Sequence, residues 1–200
     1  MIIPAAFGVA VLWTARSEAH DHHKTHDRHM AAEISTQQVR LRAIPDVRLT
    51  DQNGHQVGFA SDVLGQRPAL ISFIYTSCTT TCPLVGATVA AVTEHLDAQL
   101  ADLAVVSISI DPEYDTPARL LAWREQYGDL PRWTLLTGPR REINDLLRAF
   151  GTYSPNLEEH SEILLVGPNA AGQWTRMSSL AAWDKVAAAV REATVHAQGK

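Results

Sequence analysis

The chain has two cysteines, Cys78 and Cys82, with three threonines between them and Pro83 directly after them. They follow an almost continuous apolar run at residues 69–75, which a strand covered on both faces requires. Proline suits the first turn of a helix, so the pair is predicted between a central strand and a helix start. Ligands bind outside the carboxyl ends of strands in open α/β sheets, and helix N-termini favour thiolates. The sequence therefore predicts a reactive cysteine pair.

The spacing of the two cysteines is compatible with two kinds of chemistry. Residues four apart on a helix face the same side, with Cβ atoms about 5–6 Å apart, so two thiolates can converge on one metal ion. The same spacing falls within the Cα separations of roughly 4.4–6.8 Å that disulfides span. Thiolates select Cu(I), Zn or an iron–sulfur cluster, but clusters and structural zinc sites usually have four protein ligands. A metal site here would therefore need a histidine or carboxylate as an additional ligand.

Four histidines lie outside a histidine-rich tract near the N-terminus: His55, His95, His160 and His196. His55 falls in a predicted hairpin turn and His196 near the C-terminus, where exposed histidines are ordinary. His95 lies at the far end of the helix that the cysteines begin, roughly 20 Å from Cys82 at 1.5 Å per residue. His160 precedes an apolar strand, and its spacing leaves it open between a metal ligand and an exposed or hydrogen-bonded histidine.

Two aspartates, Asp111 and Asp115, end the second predicted buried strand, residues 103–110, at the same edge of the sheet. Asp115 or Thr116 is expected to cap the helix that begins at Pro117. Asp111 has no capping task, so it is a candidate for shaping the site or docking a partner.

Strand and helix patterns alternate along the rest of the chain. Residues 47–50 and 55–59 flank an Asn-Gly turn, the strongest short hairpin signal. Further strands are predicted at residues 69–75, 103–110, 133–137, 163–166 and 173–177, and helices at 83–100, 116–127, 140–150 and 180–193. This order predicts an α/β fold with a central mixed sheet, flanking helices and an added N-terminal β-hairpin.

The first 38 residues differ in character from the rest of the chain. Residues 2–13 are apolar and uncharged, and the small residues that follow resemble a signal-peptidase site, so export is expected. Residues 1–19 are interpreted as a signal peptide or a membrane anchor, residues 20–38 as a disordered linker, and residues 39–195 as one folded domain. The linker is histidine-rich, a composition that suits Zn, Cu or Ni. The histidines of this auxiliary metal tract are His20, His22, His23, His26 and His29.

Composition excludes several classes of protein. The 200 residues suit one domain, and 46% hydrophobic with 20% charged residues excludes a wholly disordered chain. The net charge is −5, and the basic residues are scattered, which disfavours a nucleic-acid partner. Two cysteines are too few for a secreted disulfide scaffold.

Four motifs, taken in order and spacing, resemble the Sco (SenC/PrrC) family. They are residues 73–83 around the cysteines, the Asp-Pro-Glu-Tyr-Asp-Thr-Pro run within 109–117, residues 133–138, and His160 with Ser161. The resemblance covers about residues 45–190. It implies a thioredoxin-like domain in which Cys78, Cys82 and His160 bind copper, as Cu(I) or Cu(II).

The same resemblance implies a function and a set of partners. Sco proteins deliver copper to the binuclear centre of cytochrome c oxidase, or keep the cysteines of that centre reduced. The expected protein is a monomeric copper metallochaperone without turnover, on the periplasmic side of the inner membrane. Its expected partners are the copper-bearing subunit of the oxidase and other copper chaperones. Thr79 and Glu159 depart from the Pro and Asp of many members, at positions that influence thiol acidity and ligand orientation.

Two other functions use the same cysteines. A thiol–disulfide oxidoreductase would attack a partner disulfide with one cysteine and resolve the mixed disulfide with the other. Thioredoxin-like reductases have two residues between their cysteines, whereas three occur here, and they do not need His160. A peroxiredoxin-like peroxidase would show Pro-x-x-x-Thr-x-x-Cys, but Ile71 and Tyr75 occupy the proline and threonine positions before Cys78. The sequence therefore favours a metallochaperone, with an oxidoreductase as the alternative.

Overall fold

The computed structural model describes residues 36–95, 102–160 and 162–195, which form a mixed β-sheet with helices on both faces. The strands are β1 (Gln37–Val39), β2 (Arg48–Asp51), β3 (Gln56–Gly58), β4 (Ala69–Ile74), β5 (Ala104–Ser109), β6 (Trp133–Thr137), β7 (Ile163–Gly167) and β8 (Trp174–Ser178). The helices are α1 (Cys82–Glu94), α2 (Pro117–Glu125), α3 (Arg140–Phe150) and α4 (Trp183–Val195). A π-helical turn (Phe59–Leu64) follows β3, and a 3-10 turn (Leu157–Glu159) precedes β7.

The strands of the described part of the chain are ordered β1-β8-β7-β4-β5-β6-β2-β3. β4, β5 and β6 run parallel to one another, whereas the other neighbouring strands pair antiparallel. The predicted hairpin is present as β2 and β3, and Gly54 in its turn has a φ of 87°, which glycine adopts readily. The prediction of a central mixed sheet with flanking helices and an N-terminal hairpin is confirmed.

The central strand β4 is buried along its whole length. Its side chains alternate between two cores: Leu70 and Ile74 pack on one face of the sheet, and Ile71 and Phe73 on the other. Buried residues of α1, α2 and α4 belong to the first core, and those of α3 and the π-helical turn to the second. The uninterrupted apolar run of the sequence thus reflects a strand covered on both faces.

The segments that carry polar and thiol side chains lie at one edge of the sheet. β4, β5 and β6 are parallel, so their carboxyl ends lie on this edge. β7 runs antiparallel to β4, with Leu164 opposite Ser72 and Gly167 opposite Ala69, so β7 starts where β4 ends. The segments after β4, after β5 and before β7 therefore meet.

Some predicted boundaries need correction. α1 ends at Glu94, short of the predicted residue 100, and the Nδ1 atom of His95 lies 2.7 Å from the Ala91 carbonyl at the end of the helix. α4 begins at Trp183 instead of residue 180, because a backbone turn from Ser178 precedes it. β1 spans residue 38, after which the folded domain was predicted to begin; it is a short strand that pairs with β8 and shows no periodicity of its own.

The expected signal or anchor at residues 1–19, the five tract histidines and His196 lie outside the described residues. Among the helices of residues 36–95, 102–160 and 162–195, none combines the length and apolar character needed to cross a bilayer.

Candidate metal centre

Cys78 lies in the loop after β4, and Cys82 is the first residue of α1. The i, i+4 geometry of a helix, by which the two thiolates could converge, therefore does not apply, because Cys78 precedes the helix. A helix that began at Cys78 would place Pro83 beyond its first turn, where the missing N–H and the ring of proline break the hydrogen-bond ladder. Starting the helix at Cys82 keeps Pro83 in the first turn, where proline is tolerated.

The Sγ atom of Cys78 takes the place of a helix cap. The first N–H groups of a helix have no partner within the helix, and the N–H of Cys82 donates to Cys78 Sγ at 3.4 Å. The hydroxyl oxygens of Thr80 and Thr81 lie 3.7 and 3.8 Å from the same sulfur. Both cysteines are free thiols, 7% and 1% exposed respectively. The structure thus brings the two predicted cysteines together.

The pKa values of the two thiols are shifted in opposite directions. Burial acts to raise the pKa of Cys78, but hydrogen bonds from Cys82 and Thr80 outweigh it and lower that pKa to about 6. Burial raises the pKa of Cys82 to about 12, against a hydrogen bond from the Tyr75 backbone, with further increases from Cys78 and the charge of Asp115. At neutral pH the pair is therefore one thiolate and one thiol.

His160 follows the 3-10 turn, just before the start of β7. Its Nδ1 lies 2.6 Å from the carbonyl oxygen of Leu157. A carbonyl can only accept, so Nδ1 carries a proton, and the neutral tautomer with this contact has its free lone pair on Nε2. The ring packs edge-on against Tyr75, with centroids 5.7 Å apart, and the Tyr75 carbonyl accepts from the N–H of Cys78 at 3.2 Å. Tyr75 thus lies between the histidine and the cysteine loop.

The structure does not gather all of the predicted ligands around one point. Among the described residues, no three or more His, Cys, Asp or Glu side chains are close enough to share a metal ion. His55 is 3.2 Å from Asp51 in the β2–β3 hairpin, and His95 stacks on Trp183 with ring centroids 4.4 Å apart. Both histidines make these contacts outside the loop and helix start that carry the cysteines. Cys78 and Cys82 form the core of the centre, and His160 is its neighbour through Tyr75.

Asp111, the candidate accessory residue, is paired with a cation that sequence patterns did not single out. Its Oδ1 lies 3.2 Å from a guanidinium nitrogen of Arg140, which also reaches Glu113 at 3.1 Å. Another nitrogen of Arg140 donates to the Ile110 carbonyl at 2.9 Å. Asp111, Arg140 and His160 line one cleft of about 320 Å³. The only signal for Arg140 in the sequence is its position just after β6, at the same sheet edge.

The sequence predicted that Asp115 or Thr116 caps α2, and the structure bears out Thr116 and not Asp115. Thr116 takes that position, and its Oγ1 accepts from the Arg119 N–H at 3.4 Å. Asp115 is fully buried, and its two carboxylate oxygens accept from the N–H of Thr76 at 3.1 and 3.2 Å. It also accepts from the Thr76 hydroxyl and, at 2.6 Å, from the Ser109 hydroxyl. A link between residues so far apart in the sequence leaves no local pattern to detect.

The fold and the paired thiols define a thioredoxin-like protein with two neighbouring cysteines at the end of a parallel strand. The model of the SCO1/SenC family matches residues 35–193, and the chain belongs to that family.

Relatives of known sequence support this assignment. The SCO2-like protein of Rickettsia conorii is 29% identical over 153 residues, covering 76% of this chain and 70% of the relative. The SCO1 homolog of Bacillus subtilis is 30% identical over 128 residues, covering 60% of this chain and 65% of the relative. The human mitochondrial SCO1 homolog is 34% identical over 108 residues, covering 52% of this chain and 35% of that protein.

Solved structures share the fold. A SCO1/SenC family lipoprotein from Bacillus anthracis has a TM-score of 0.67 and 22% identity, covering 81% of this chain and 98% of the other. BsSco, a member of the Sco family of cytochrome c oxidase assembly proteins with a disulfide switch, has a TM-score of 0.66 and 23% identity, with coverages of 80% and 96%. Bradyrhizobium japonicum ScoI with copper bound has a TM-score of 0.60 and 25% identity, with coverages of 73% and 96%. The thioredoxin-like fold is confirmed.

The opposite acidities of the thiols predict a pH profile for their alkylation. In the reduced, metal-free protein, alkylation of Cys78 by iodoacetamide should reach half its plateau rate near pH 6, because only the thiolate reacts. Cys82, with a pKa raised to about 12, should stay unmodified through neutral pH. Tandem mass spectrometry after acid quenching locates the label, and Cys82→Ser isolates the profile of Cys78. A single transition near the ordinary cysteine pKa of about 8.5 would contradict the described geometry.

Proposed function

We propose that this protein is a copper metallochaperone that binds copper through Cys78, Cys82 and His160 and delivers it to the binuclear copper site of cytochrome c oxidase. The observation that carries the proposal is the contact of Cys78 Sγ with the start of α1, because it holds a thiolate beside a second thiol. Thiolates are the protein ligands that select Cu(I). ScoI from Bradyrhizobium japonicum, a relative in fold, has been solved with copper bound.

His160 supplies the third donor in this proposal. Hydrogen bonding of Nδ1 to Leu157 leaves Nε2 as the donor atom, the usual arrangement in which an outer partner fixes the tautomer of a metal-binding histidine. To join the cysteines, the imidazole has to approach them from its position against Tyr75. The segment before it is a loop and a single 3-10 turn, so this approach does not require a long helix to move.

A three-ligand centre suits transfer better than storage. Two sulfurs and one imidazole leave copper open to attack by a ligand of the acceptor, so the ion can pass from one protein to the other. The acceptor in the proposal is the copper-bearing subunit of the oxidase. BsSco, which shares the fold, belongs to a family of cytochrome c oxidase assembly proteins.

The proposal also includes the cellular location of the domain and a role for the histidine-rich tract. We place the folded domain on the periplasmic side of the inner membrane, as a monomer, with residues 1–19 as signal peptide or anchor. A lipoprotein of Bacillus anthracis that shares the fold is compatible with an exported, membrane-attached protein. The histidines of residues 20–29 would bind additional metal ions through imidazole alone.

Replacing His160 tests the ligand set. Reduced full-length protein is titrated with one equivalent of Cu(I) under anaerobic conditions against a Cu(I) chelator, with bicinchoninate as the competitor. His160→Ala should weaken binding by about 10- to 100-fold or more, because even outer partners of metal ligands have effects of that size. His55→Ala is the matched control, because the His55 side chain is 75% exposed and pairs with Asp51. The Cu(I) affinity of this variant should match that of the wild type. Equal affinities of wild type and His160→Ala would contradict the proposed ligand set.

The opposite acidities of the cysteines also favour a second function, a thiol–disulfide oxidoreductase. The Cys78 thiolate would attack one sulfur of a partner disulfide, and the other partner sulfur would leave as a thiolate. Cys82 would then lose its proton and attack Cys78, which closes the Cys78–Cys82 disulfide and releases the partner as a dithiol. The pair loses two electrons, and the partner gains them. The disulfide switch of BsSco is consistent with such use of the pair.

Trapping the mixed disulfide tests this second function. Cys82→Ser should accumulate a covalent complex with the oxidised copper-binding domain of an oxidase, because the attacking thiolate remains and the resolving thiol is gone. Cys78→Ser should give little or no complex, because the pKa of Cys82 is raised to about 12. Nonreducing electrophoresis and mass spectrometry detect the complex. Its absence with Cys82→Ser would exclude the oxidoreductase function toward this partner.

A further inference from the structure

We infer that Asp115 is a positioning residue of the cysteine centre: its buried carboxylate fixes the loop that carries Cys78 against the end of β5. The inference rests on the proposed copper-binding function for its biological meaning. Its physical content, the placement of Cys78 Sγ at the start of α1, can be tested in the metal-free protein.

The contacts of Asp115 join two strands. Ser109, the last residue of β5, donates its hydroxyl hydrogen to one carboxylate oxygen at 2.6 Å. Thr76, in the loop after β4, donates its backbone N–H and its hydroxyl hydrogen to the same carboxylate. The carboxylate therefore holds the first turn of the loop to the neighbouring strand, by way of hydrogen bonds to a charged acceptor.

The fixed loop leads directly to the sulfur of Cys78. Cys78 is two residues after Thr76, and its N–H donates to the Tyr75 carbonyl at 3.2 Å. Its Sγ accepts from the N–H of Cys82, the first residue of α1, and both cysteine side chains pack in the same core as the buried residues of that helix. The hydrogen bonds of Asp115 fix the polar start of this loop, and so they help to hold the sulfur of Cys78 within reach of the Cys82 N–H.

Burying a carboxylate is energetically unfavourable, so the need to fill space does not explain an aspartate at position 115. Asp115 is fully buried, and the ion pairs among the described residues do not include it. Burying a charge is unfavourable unless hydrogen bonds satisfy it. Asparagine has nearly the same shape, but it offers one acceptor oxygen instead of two and would point N–H groups at donors. The capping task that would otherwise explain an aspartate here belongs to Thr116.

The same edge also connects Asp115 to the cleft beside His160. The Ser109 hydroxyl accepts from the N–H of Asp111 at 3.1 Å while it donates to Asp115. The backbone N–H of Asp115 donates to the Asp111 carbonyl at 2.9 Å. The loop that presents Cys78 is therefore bound to the carboxylate directly, and the turn that presents Asp111 is linked to it through the Ser109 hydroxyl.

The chain offers matched variants for the test. Asp115→Asn removes charge and one acceptor oxygen, whereas Thr76→Val removes one donor at a half-buried position where folding should survive. Thr76→Ser keeps the hydroxyl and is the conservative rescue. Asp46→Asn is the control, because Asp46 is an exposed carboxylate that also accepts from backbone N–H and hydroxyl groups, those of Ala60 and Ser61 at the π-helical turn after β3, away from the cysteine loop.

Two measurements are made on each full-length variant. Hydrogen exchange by NMR in the reduced, metal-free protein reports the protection of the Cys82 amide, and anaerobic competition with bicinchoninate reports the Cu(I) dissociation constant. In Asp115→Asn and Thr76→Val both quantities should change by a factor of about ten or more, the size of one hydrogen bond to a charged group. Thr76→Ser and Asp46→Asn should stay close to the wild type in both.

The outcomes separate this inference from the proposed function. If Thr76→Val and Asp115→Asn leave the Cys82 amide as protected as in the wild type, Asp115 does not position the site. The inference also fails if amides throughout β4 and β5 lose as much protection as Cys82, because the effect is then general destabilisation. If Asp115→Asn fails to fold, the comparison of Thr76→Val with Thr76→Ser tests the inference instead. Wild-type protein that binds no Cu(I) would refute the proposed function, while the exchange data would still test the position of Asp115.

Discussion

The N–H groups at the start of α1 impose the constraint on which the rest of the centre depends. They have no partners within the helix, and the Cys82 N–H finds one in the sulfur of Cys78. That contact stabilises the thiolate of Cys78 and sets it beside a buried thiol that resists ionisation. It requires the helix to begin at Cys82, and Pro83 prevents a start as early as Cys78 because proline cannot lie deeper in a helix without breaking it. The threonines between the cysteines span the short distance from loop to helix.

The sheet supplies the surroundings of this contact. Parallel strands β4 and β5 end at the same edge, so the Cys78 loop and the turn with Asp111 and Asp115 lie side by side. β7 starts at that edge because it is antiparallel to β4, and it places His160 against Tyr75. Two cores of apolar side chains hold the strands and helices from both faces, so the edge can carry polar loops without loss of the fold.

Much of this arrangement could be predicted from the sequence, because it follows from local patterns. The apolar run of β4 predicted a strand covered on both faces, and α3 has the predicted limits because Gly151, with a φ of 67°, ends it in the left-handed conformation. The cysteine pair could be found from its place after a strand and before a helix. His160 could be singled out only through the resemblance to a family, because nothing near it in the sequence indicates its neighbour Tyr75.

Other features depend on contacts between distant segments, which leave no local pattern in the sequence. The carboxylate of Asp115 bonds to Thr76 across 39 positions of the chain, so local patterns suggested a helix cap instead. Arg140 pairs with Asp111 across 29 positions. The predicted end of α1 at residue 100 is too late. The ring of His95 contacts a carbonyl at the helix terminus and stacks on Trp183, which belongs to a different helix.

X-ray absorption at the copper edge of the reduced, full-length protein, loaded anaerobically with one equivalent of Cu(I), tests the central claim most directly. We expect a shell of two sulfur atoms and one imidazole nitrogen, which loses sulfur in Cys78→Ser and imidazole in His160→Ala. A shell of nitrogen atoms alone, as the histidine tract would supply, or a sulfur shell that His160→Ala leaves unchanged, would contradict the proposed copper centre.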